Sequence, residues 1–135
     1  MKIILVIWFF STGIMGILKE DQNEALKKSM ANGKEIYVDF CVTCHKVNGE
    51  GTLKIVPPLV KSDYLKKYQL ESIRSVKYGQ QGKIVVNGIE YNGVMPNPRL
   101  EDEEVADVMN YINNSWGNKI PGILTAEKVS KIENK

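Results

Sequence analysis

Two cysteines and one histidine stand together in the segment Cys41-Val42-Thr43-Cys44-His45. Cys-x-x-Cys-His is the sequence to which a c-type haem is covalently attached. Two thiols three positions apart can each form a thioether to one edge of a porphyrin, and the adjacent imidazole then lies under the iron as its proximal ligand. The spacing therefore predicts one haem c, held covalently by Cys41 and Cys44 and ligated by His45.

Three other uses of this segment compete with haem attachment. A structural zinc site takes four protein ligands, and the chain contains only two cysteines and one histidine. A thioredoxin-like dithiol is expected at the end of a strand in a βαβ unit, and no such pattern surrounds Cys41. A disulfide between residues three apart is geometrically awkward and leaves His45 without a role. Each of these is weaker than haem attachment.

The ligand on the opposite side of the iron decides between electron transfer, gas binding and catalysis. His45 is the only histidine, so ligation by two histidines is excluded. Met95 lies in the segment from Asn92 to Pro98, which a glycine and two prolines interrupt, so we expect a constrained loop there. Met109, in contrast, lies on a helical apolar stripe. We therefore predict Met95 as the second axial ligand, and ligation by His and Met raises the reduction potential.

The elements around the motif follow from caps and breakers. Ser29 is a candidate N-cap for a helix from Met30 to about Phe40 that leads directly into the cysteines. The polar, glycine-bearing stretch from Lys46 to Gly51 predicts a loop along the haem edge. The segment Val56-Pro57-Pro58-Leu59 is expected to be rigid and extended, because proline fixes φ and keeps its predecessor out of the helical region.

Later helices are predicted from the same signals. The longest, from about Asp102 to Trp116, has acidic residues in its first turn and an apolar stripe, and Gly117 follows it as a stop. Ser62 or Asp63 can cap a helix from Tyr64 to Tyr68, and Thr125 can cap a last short helix that carries Val129 and Ile132. Before that last short helix, the predicted helices are Tyr64–Tyr68, Glu71–Tyr78 and Asp102–Trp116. The residues from Gly79 to Gly82 end the helix Glu71–Tyr78.

A β-hairpin is the one strand signal of the chain. Ile84-Val85-Val86 and Ile89-Glu90-Tyr91 flank Asn87-Gly88, a pair that favours the type I′ turn. We predict a small, peripheral hairpin from Ile84 to Tyr91 in an otherwise all-α fold.

Length and charge set further bounds. The 135 residues suffice for one domain, and the net charge of +2 gives no reason to expect a nucleic-acid partner. Residues 1–20 are largely apolar after one lysine and predict a signal peptide or an uncleaved N-terminal anchor, hence an extracytoplasmic or periplasmic location. We assign residues 21–118 to the haem domain and 119–135 to a C-terminal tail.

From Gly33 to Gly117 the chain resembles a class I, mono-haem cytochrome c. Gly33 and Tyr37 are similar to the family's first helix, where a glycine and an aromatic residue cross the last helix, here at Val108 and Tyr111-Ile112. The resemblance also implies that the carbonyl of Pro57 accepts a hydrogen bond from the Nδ1 of His45, which orients the ring and tunes the iron.

Within that family, the segments around Met95 and Trp116 resemble haem domains associated with respiratory enzymes such as copper nitrite reductase. Glu101 departs from the pattern, since relatives tend to have Ser or Thr before the acidic turn. Other polar side chains could reach the haem propionates, and the sequence does not choose among Tyr64, Tyr78, Tyr91, Trp116 and Arg99.

The resemblance implies a single-electron carrier of a respiratory chain, without an enzyme activity of its own. The expected donor is a quinol-oxidising complex or dehydrogenase, and the expected acceptor a terminal oxidase or reductase. Lysines near an exposed haem edge (Lys46, Lys54 and Lys61) could contact these partners or be ordinary solvated surface. Two alternatives stay open: a haem-relay subunit of a larger dehydrogenase or reductase, and a gas-binding or peroxidatic haem protein.

Overall fold

Helices and one hairpin make up the part of the protein that the structure describes. The computed structural model describes the backbone of residues 7–134 and the side chains of residues 21–134. The elements, in chain order, are α1 (Ile7–Phe40), α2 (Val42–His45), α3 (Asp63–Lys67), α4 (Gln69–Tyr78), β1 (Gln80–Val86), β2 (Ile89–Met95), α5 (Asp102–Asn113) and α6 (Ala126–Ser130). The predicted all-α class with a small hairpin is confirmed.

The first helix starts much earlier than the sequence suggested. α1 runs through Ser29, so the prediction that Ser29 caps its N-terminus was wrong. The Ser29 hydroxyl instead donates to the carboxylate of Asp107 and accepts a hydrogen bond from Asn110 Nδ2, which ties α1 to α5.

The apolar segment 1–20, predicted as a leader or anchor, is only partly described. Residues 1–6 lie outside the described residues, and residues 7–20 are described only as backbone of α1. No helix in the described part of the chain is both long and apolar enough to span a membrane.

α1 and α5 cross at a glycine. A Cβ built on Gly33 would overlap the carbonyl oxygen of Asp107 and would lie 2.9 Å from the Cβ of Tyr111. Near this contact Tyr37 is 1% exposed, and its ring centre lies 5.5 Å from that of Tyr111 and 5.1 Å from that of Trp116. The absence of a side chain at Gly33 lets the two backbones touch, and aromatic packing fills the space beside them.

α5 supplies the centre of the core. Its fully buried side chains Val105, Val108, Met109 and Ile112 recur at helical spacing, as the apolar stripe predicted. The helix ends at Asn113 and not at Trp116, because the backbone leaves helical geometry at Asn114, which has a φ of −122° and a ψ of 10°. Trp116, in the following turn, has a positive φ of 53°. Residues after this turn fold back on α5, and Val129 of α6 is completely buried against it.

Side-chain caps define the helix starts. Ser62 accepts a hydrogen bond from the amide of Leu65 at α3, and Thr125 accepts one from the amide of Lys128 at α6. At α5 the carboxylate of Glu104 accepts from the amide of Glu101 at 2.8 Å. A glutamate three residues inside the helix thus satisfies an otherwise unpaired amide at its start.

The hairpin has the predicted turn and a greater length. Val86 pairs with Ile89 across Asn87 and Gly88, which have φ values of 51° and 77°, as a type I′ turn requires. The ladder continues to the pair of Gln80 and Met95. The predictions that Gln80 to Gly82 only end a helix and that Asn92 to Met95 is an irregular loop were therefore wrong, because cross-strand pairing extends the strands over these residues.

Candidate haem site

The Cys-x-x-Cys-His segment forms a single helical turn at the end of α1. The amide of Cys41 donates to the carbonyl of Tyr37 at 2.9 Å, and the amide of His45 donates to the carbonyl of Cys41 at 2.9 Å. Residues three apart on a helix lie on the same side, so Cys41 and Cys44 face one region of space. His45 is only 8% exposed.

All five residues singled out from the sequence line one cavity. Cys41, Cys44, His45, Pro57 and Met95 contribute to it, although they come from the turn between α1 and α2, from α2, from a loop and from β2. The rest of the lining is largely apolar and consists of Phe40, Ile55, Val56, Val76, Gln80, Gly82, Ile84, Tyr91, Gly93, Val94, Pro96 and Pro98.

The hairpin lines this cavity, contrary to the expectation that it would be peripheral. Ile84 and Tyr91 pair across the two strands, and both line the cavity. Directly paired residues project to the same face of a hairpin, so this face is turned toward the site. The alternation of Tyr91, Gly93 and Met95 was a signal that could have identified this face, because residues two apart share a side of a strand.

A backbone carbonyl orients the histidine. Nδ1 of His45 lies 3.2 Å from the carbonyl oxygen of Pro57. A carbonyl can only accept, so Nδ1 carries the proton and Nε2 keeps a free lone pair. The ring is therefore held in the tautomer that a metal ion requires at Nε2.

A tight turn brings Pro57 to this position, and sequence reasoning missed the glycine that permits it. Thr52 and Val56 form a bridge with two backbone hydrogen bonds, and the amide of Gly51 donates to the carbonyl of His45 at 3.0 Å. Gly51 has a φ of 63°, and a Cβ there would lie 2.8 Å from the Pro57 oxygen. Glycine thus allows the acceptor carbonyl to approach His45.

Met95 ends β2 and is partly buried. It contributes to the cavity that Cys41, Cys44 and His45 line, and also to an adjoining cavity, which His45 lines too. A thioether from one element and an imidazole from another thus border the same apolar space.

Burial changes the pKa values of Cys41 and His45. It raises the pKa of the Cys41 thiol to about 11, with a smaller contribution from the neighbouring Cys44. It lowers the pKa of His45, and the hydrogen bond to Pro57 partly offsets this effect. His45 is therefore neutral at physiological pH, as a metal ligand must be.

The candidate partners for haem propionates divide into two groups. Tyr91 lines the cavity, and Tyr64 lines the adjoining one. Tyr78 instead donates its hydroxyl to the carbonyl of Ile132, and Trp116 packs on Tyr37. Arg99 is exposed, and its own φ is 60°. The structure thus leaves Tyr64 and Tyr91 nearest the site.

The donor set fits a covalently attached haem. Two thiols, an imidazole with a free Nε2 and a thioether surround an apolar cavity, and these are the groups by which proteins hold haem c. Lys46, Lys54 and Lys61 are exposed near the loop that carries Pro57.

Comparison with known proteins agrees with this assignment. Residues 30–116 match the cytochrome c family. The chain is 40% identical over 119 residues to cytochrome c-552 of Thermus thermophilus. The aligned region covers 82% of this chain and 80% of that protein. It is 30% identical over 116 residues to the cytochrome c subunit of a quinone alcohol dehydrogenase of Gluconacetobacter polyoxogenes, covering 76% of this chain and 22% of that subunit.

A third relative is the cytochrome c subunit of gluconate 2-dehydrogenase of Pantoea cypripedii, 30% identical over 110 residues, with 74% of this chain and 23% of that subunit covered. The family match includes every residue that lines the cavity. The chain therefore belongs to the cytochrome c family, whose members carry a covalently bound haem c and transfer single electrons.

Proposed function

We propose that this protein is an extracytoplasmic electron carrier with one haem c, attached through Cys41 and Cys44 and ligated by His45 and Met95. The observation that supports the proposal is the apolar cavity that these four side chains share. When bound, the haem supplies an iron that alternates between the ferrous and ferric states.

The residues of this chain do four things for that reaction. Cys41 and Cys44 would bond the haem covalently at the end of α1, so that the cofactor would not dissociate. His45 presents Nε2, and the carbonyl of Pro57 fixes its ring at Nδ1. Met95 would supply the second protein ligand from the end of β2, in a cavity whose lining is largely apolar. An iron with both axial positions filled changes oxidation state with little rearrangement and has no open position for a substrate, so we propose no enzyme activity for the chain.

We further propose that residues 1–20 direct the chain out of the cytoplasm, as a cleaved signal peptide or an anchor, and that residues 21–118 form the haem domain followed by the tail 119–135. A dehydrogenase or quinol-oxidising complex would donate the electron, and a terminal oxidase or reductase would accept it. The exposed Lys46, Lys54 and Lys61 are the candidate contacts, in brief and weak complexes.

A second candidate function is a haem-relay subunit of a larger dehydrogenase. The similarity to cytochrome c subunits of alcohol and gluconate dehydrogenases favours it. Size-exclusion chromatography of the protein from its native membrane or periplasmic fraction separates the two: a carrier elutes alone, whereas a subunit elutes with its dehydrogenase.

The ligand assignment is tested with the haem-loaded protein. We expect the oxidised protein to show the Met-to-iron charge-transfer band and the reduced protein to bind no carbon monoxide. In Met95→Ala the band disappears and carbon monoxide binds stoichiometrically.

Met109→Leu is the control, since Met109 is a buried core residue and a volume-conserving change there is tolerated. It keeps the band and excludes carbon monoxide. Rapid carbon monoxide binding to the unmodified protein would instead support the gas-binding or peroxidatic alternative.

A further inference from the structure

Gly79, which joins α4 to β1, lies against the backbone of the Met95 segment. It has a φ of 84°, and a Cβ built on it would lie 2.8 Å from the carbonyl oxygen of Met95 and 2.9 Å from the amide nitrogen of Asn97. Real Cβ atoms do not approach backbone atoms this closely. The end of α4 and the residue that completes β2 can therefore be in contact only with glycine at position 79.

We propose that Gly79 is a positioning residue for the sixth iron ligand: its missing side chain lets α4 act as a fixed support against which Met95 is placed. The inference rests on the proposed role of Met95 as that ligand. Gly79 does not line the cavity that His45 and Met95 share; it would act through the backbone of Met95, which does.

One ion pair and two hydrogen bonds fix the end of α4. The ammonium group of Lys77 lies 2.9 Å from the Asp102 carboxylate at the start of α5, and it donates to the carbonyl of Val129 in α6. The hydroxyl of Tyr78 donates to the carbonyl of Ile132 at 2.9 Å. Because the support is bonded to two other helical segments, a side chain at position 79 would displace the Met95 segment more readily than α4.

The Met95 segment has weaker ties. Met95 pairs with Gln80 in the last pair of the ladder, and Pro96 follows it. Proline has no amide hydrogen, so the backbone cannot continue the ladder beyond Met95. The ligand thus stands at the end of a strand, where a small backbone displacement moves its sulfur.

Imidazole titration of the oxidised, haem-loaded full-length protein tests the inference, because imidazole competes with the thioether for the iron. We expect Gly79→Ala to bind imidazole about tenfold more tightly than the unmodified protein, since the energy of overpacking against backbone is comparable with that of a tenfold change. The charge-transfer band should weaken in parallel.

Gly88→Ala is the matched control. Gly88 has a similar positive φ of 77°, but nothing lies within 4 Å of a Cβ built there. The control therefore places an alanine at a positive φ without a collision, and it should bind imidazole as the unmodified protein does. Equal imidazole affinities for Gly79→Ala and Gly88→Ala would overturn the inference, provided that the unmodified protein shows the band. If the unmodified protein lacks the band, the proposed ligand is wrong and the inference fails with it.

A second variant covers the case in which Gly79→Ala does not accumulate with haem. Tyr78→Phe removes the hydroxyl that bonds to Ile132 and loosens the support, so we expect imidazole to bind several-fold more tightly, as loss of one hydrogen bond allows. Tyr68→Phe, at a half-exposed tyrosine preceding the same helix, is its control. Unchanged imidazole affinity in Tyr78→Phe would contradict the support that α4 provides.

Discussion

Gly33 of α1 lies directly on the backbone carbonyl of Asp107 in α5. This contact sets the distance between the two longest helices of the described residues, and α1 leads straight into the Cys-x-x-Cys-His turn. We expect Gly33→Ala to lower the free energy of unfolding by about 2 kcal/mol, since overpacking outweighs the better helix propensity of alanine. Denaturant titration of the haem-loaded protein measures this change. Lys34→Ala, at the neighbouring exposed position, should change it little.

Asn110 connects the core to the C-terminal segment. Its side chain donates to Ser29 and to the carbonyl of Leu124, and accepts from the amide of Leu124. We expect Asn110→Ala to cost about 2 kcal/mol, because two partly buried backbone groups lose their partners. Hydrogen exchange at the Leu124 amide should accelerate in this variant and not in Asn92→Ala, an exposed site. Unchanged protection at Leu124 would contradict this role.

Tyr37 makes the stability depend on pH in alkaline solution. Its hydroxyl donates to the carbonyl of Lys46 at 2.6 Å, and burial, with smaller contributions from nearby groups, raises its pKa. In the unfolded chain a tyrosine loses its proton near pH 10, whereas folded Tyr37 keeps it, so the folded state binds more protons and stability falls as pH rises above 10.

Tyr37→Phe should therefore lose about 1 kcal/mol at pH 7, the value of one hydrogen bond, and show a shallower loss of stability above pH 10. Unfolding curves at both pH values measure this, and the neutral measurement is the control because the hydroxyl is protonated there in both states. An alkaline slope equal to that of the unmodified protein would contradict the prediction.

Gly51 controls the hydrogen bond to His45. Gly51→Ala would push the Pro57 carbonyl away from Nδ1, which makes the imidazole a weaker donor to the iron and so destabilises the ferric state. We expect the reduction potential to rise by no more than about 60 mV, since one hydrogen bond changes the equilibrium by at most roughly tenfold.

Potentiometric titration measures the shift. Gly122→Ala is the matched control, because Gly122 also has a positive φ, of 94°, with open space around it. A potential that moves equally in both variants would show that backbone strain, and not the Pro57 carbonyl, is responsible.

Residue types and spacing were sufficient to predict much of this protein. Cys41, Cys44 and His45 are adjacent in the chain, so their chemistry can be recognised without a fold, and haem attachment is now supported by the family match. The caps at Ser62 and Thr125 and the turn at Asn87-Gly88 are also local, because each depends on a few consecutive residues. Met95 as the second ligand stays a prediction.

Only the tertiary structure showed the relationships between distant residues. Ser29 looked like a cap because its hydroxyl could bond to its own helix; in the fold it bonds to Asp107, far along the chain. The hairpin lines the haem cavity because cross-strand pairing carries β2 as far as Met95. Gly51 and Gly79 are needed because the backbone of another segment lies against each of them and leaves no room for a side chain. Local sequence determines which groups can bond, whereas packing decides which of them meet.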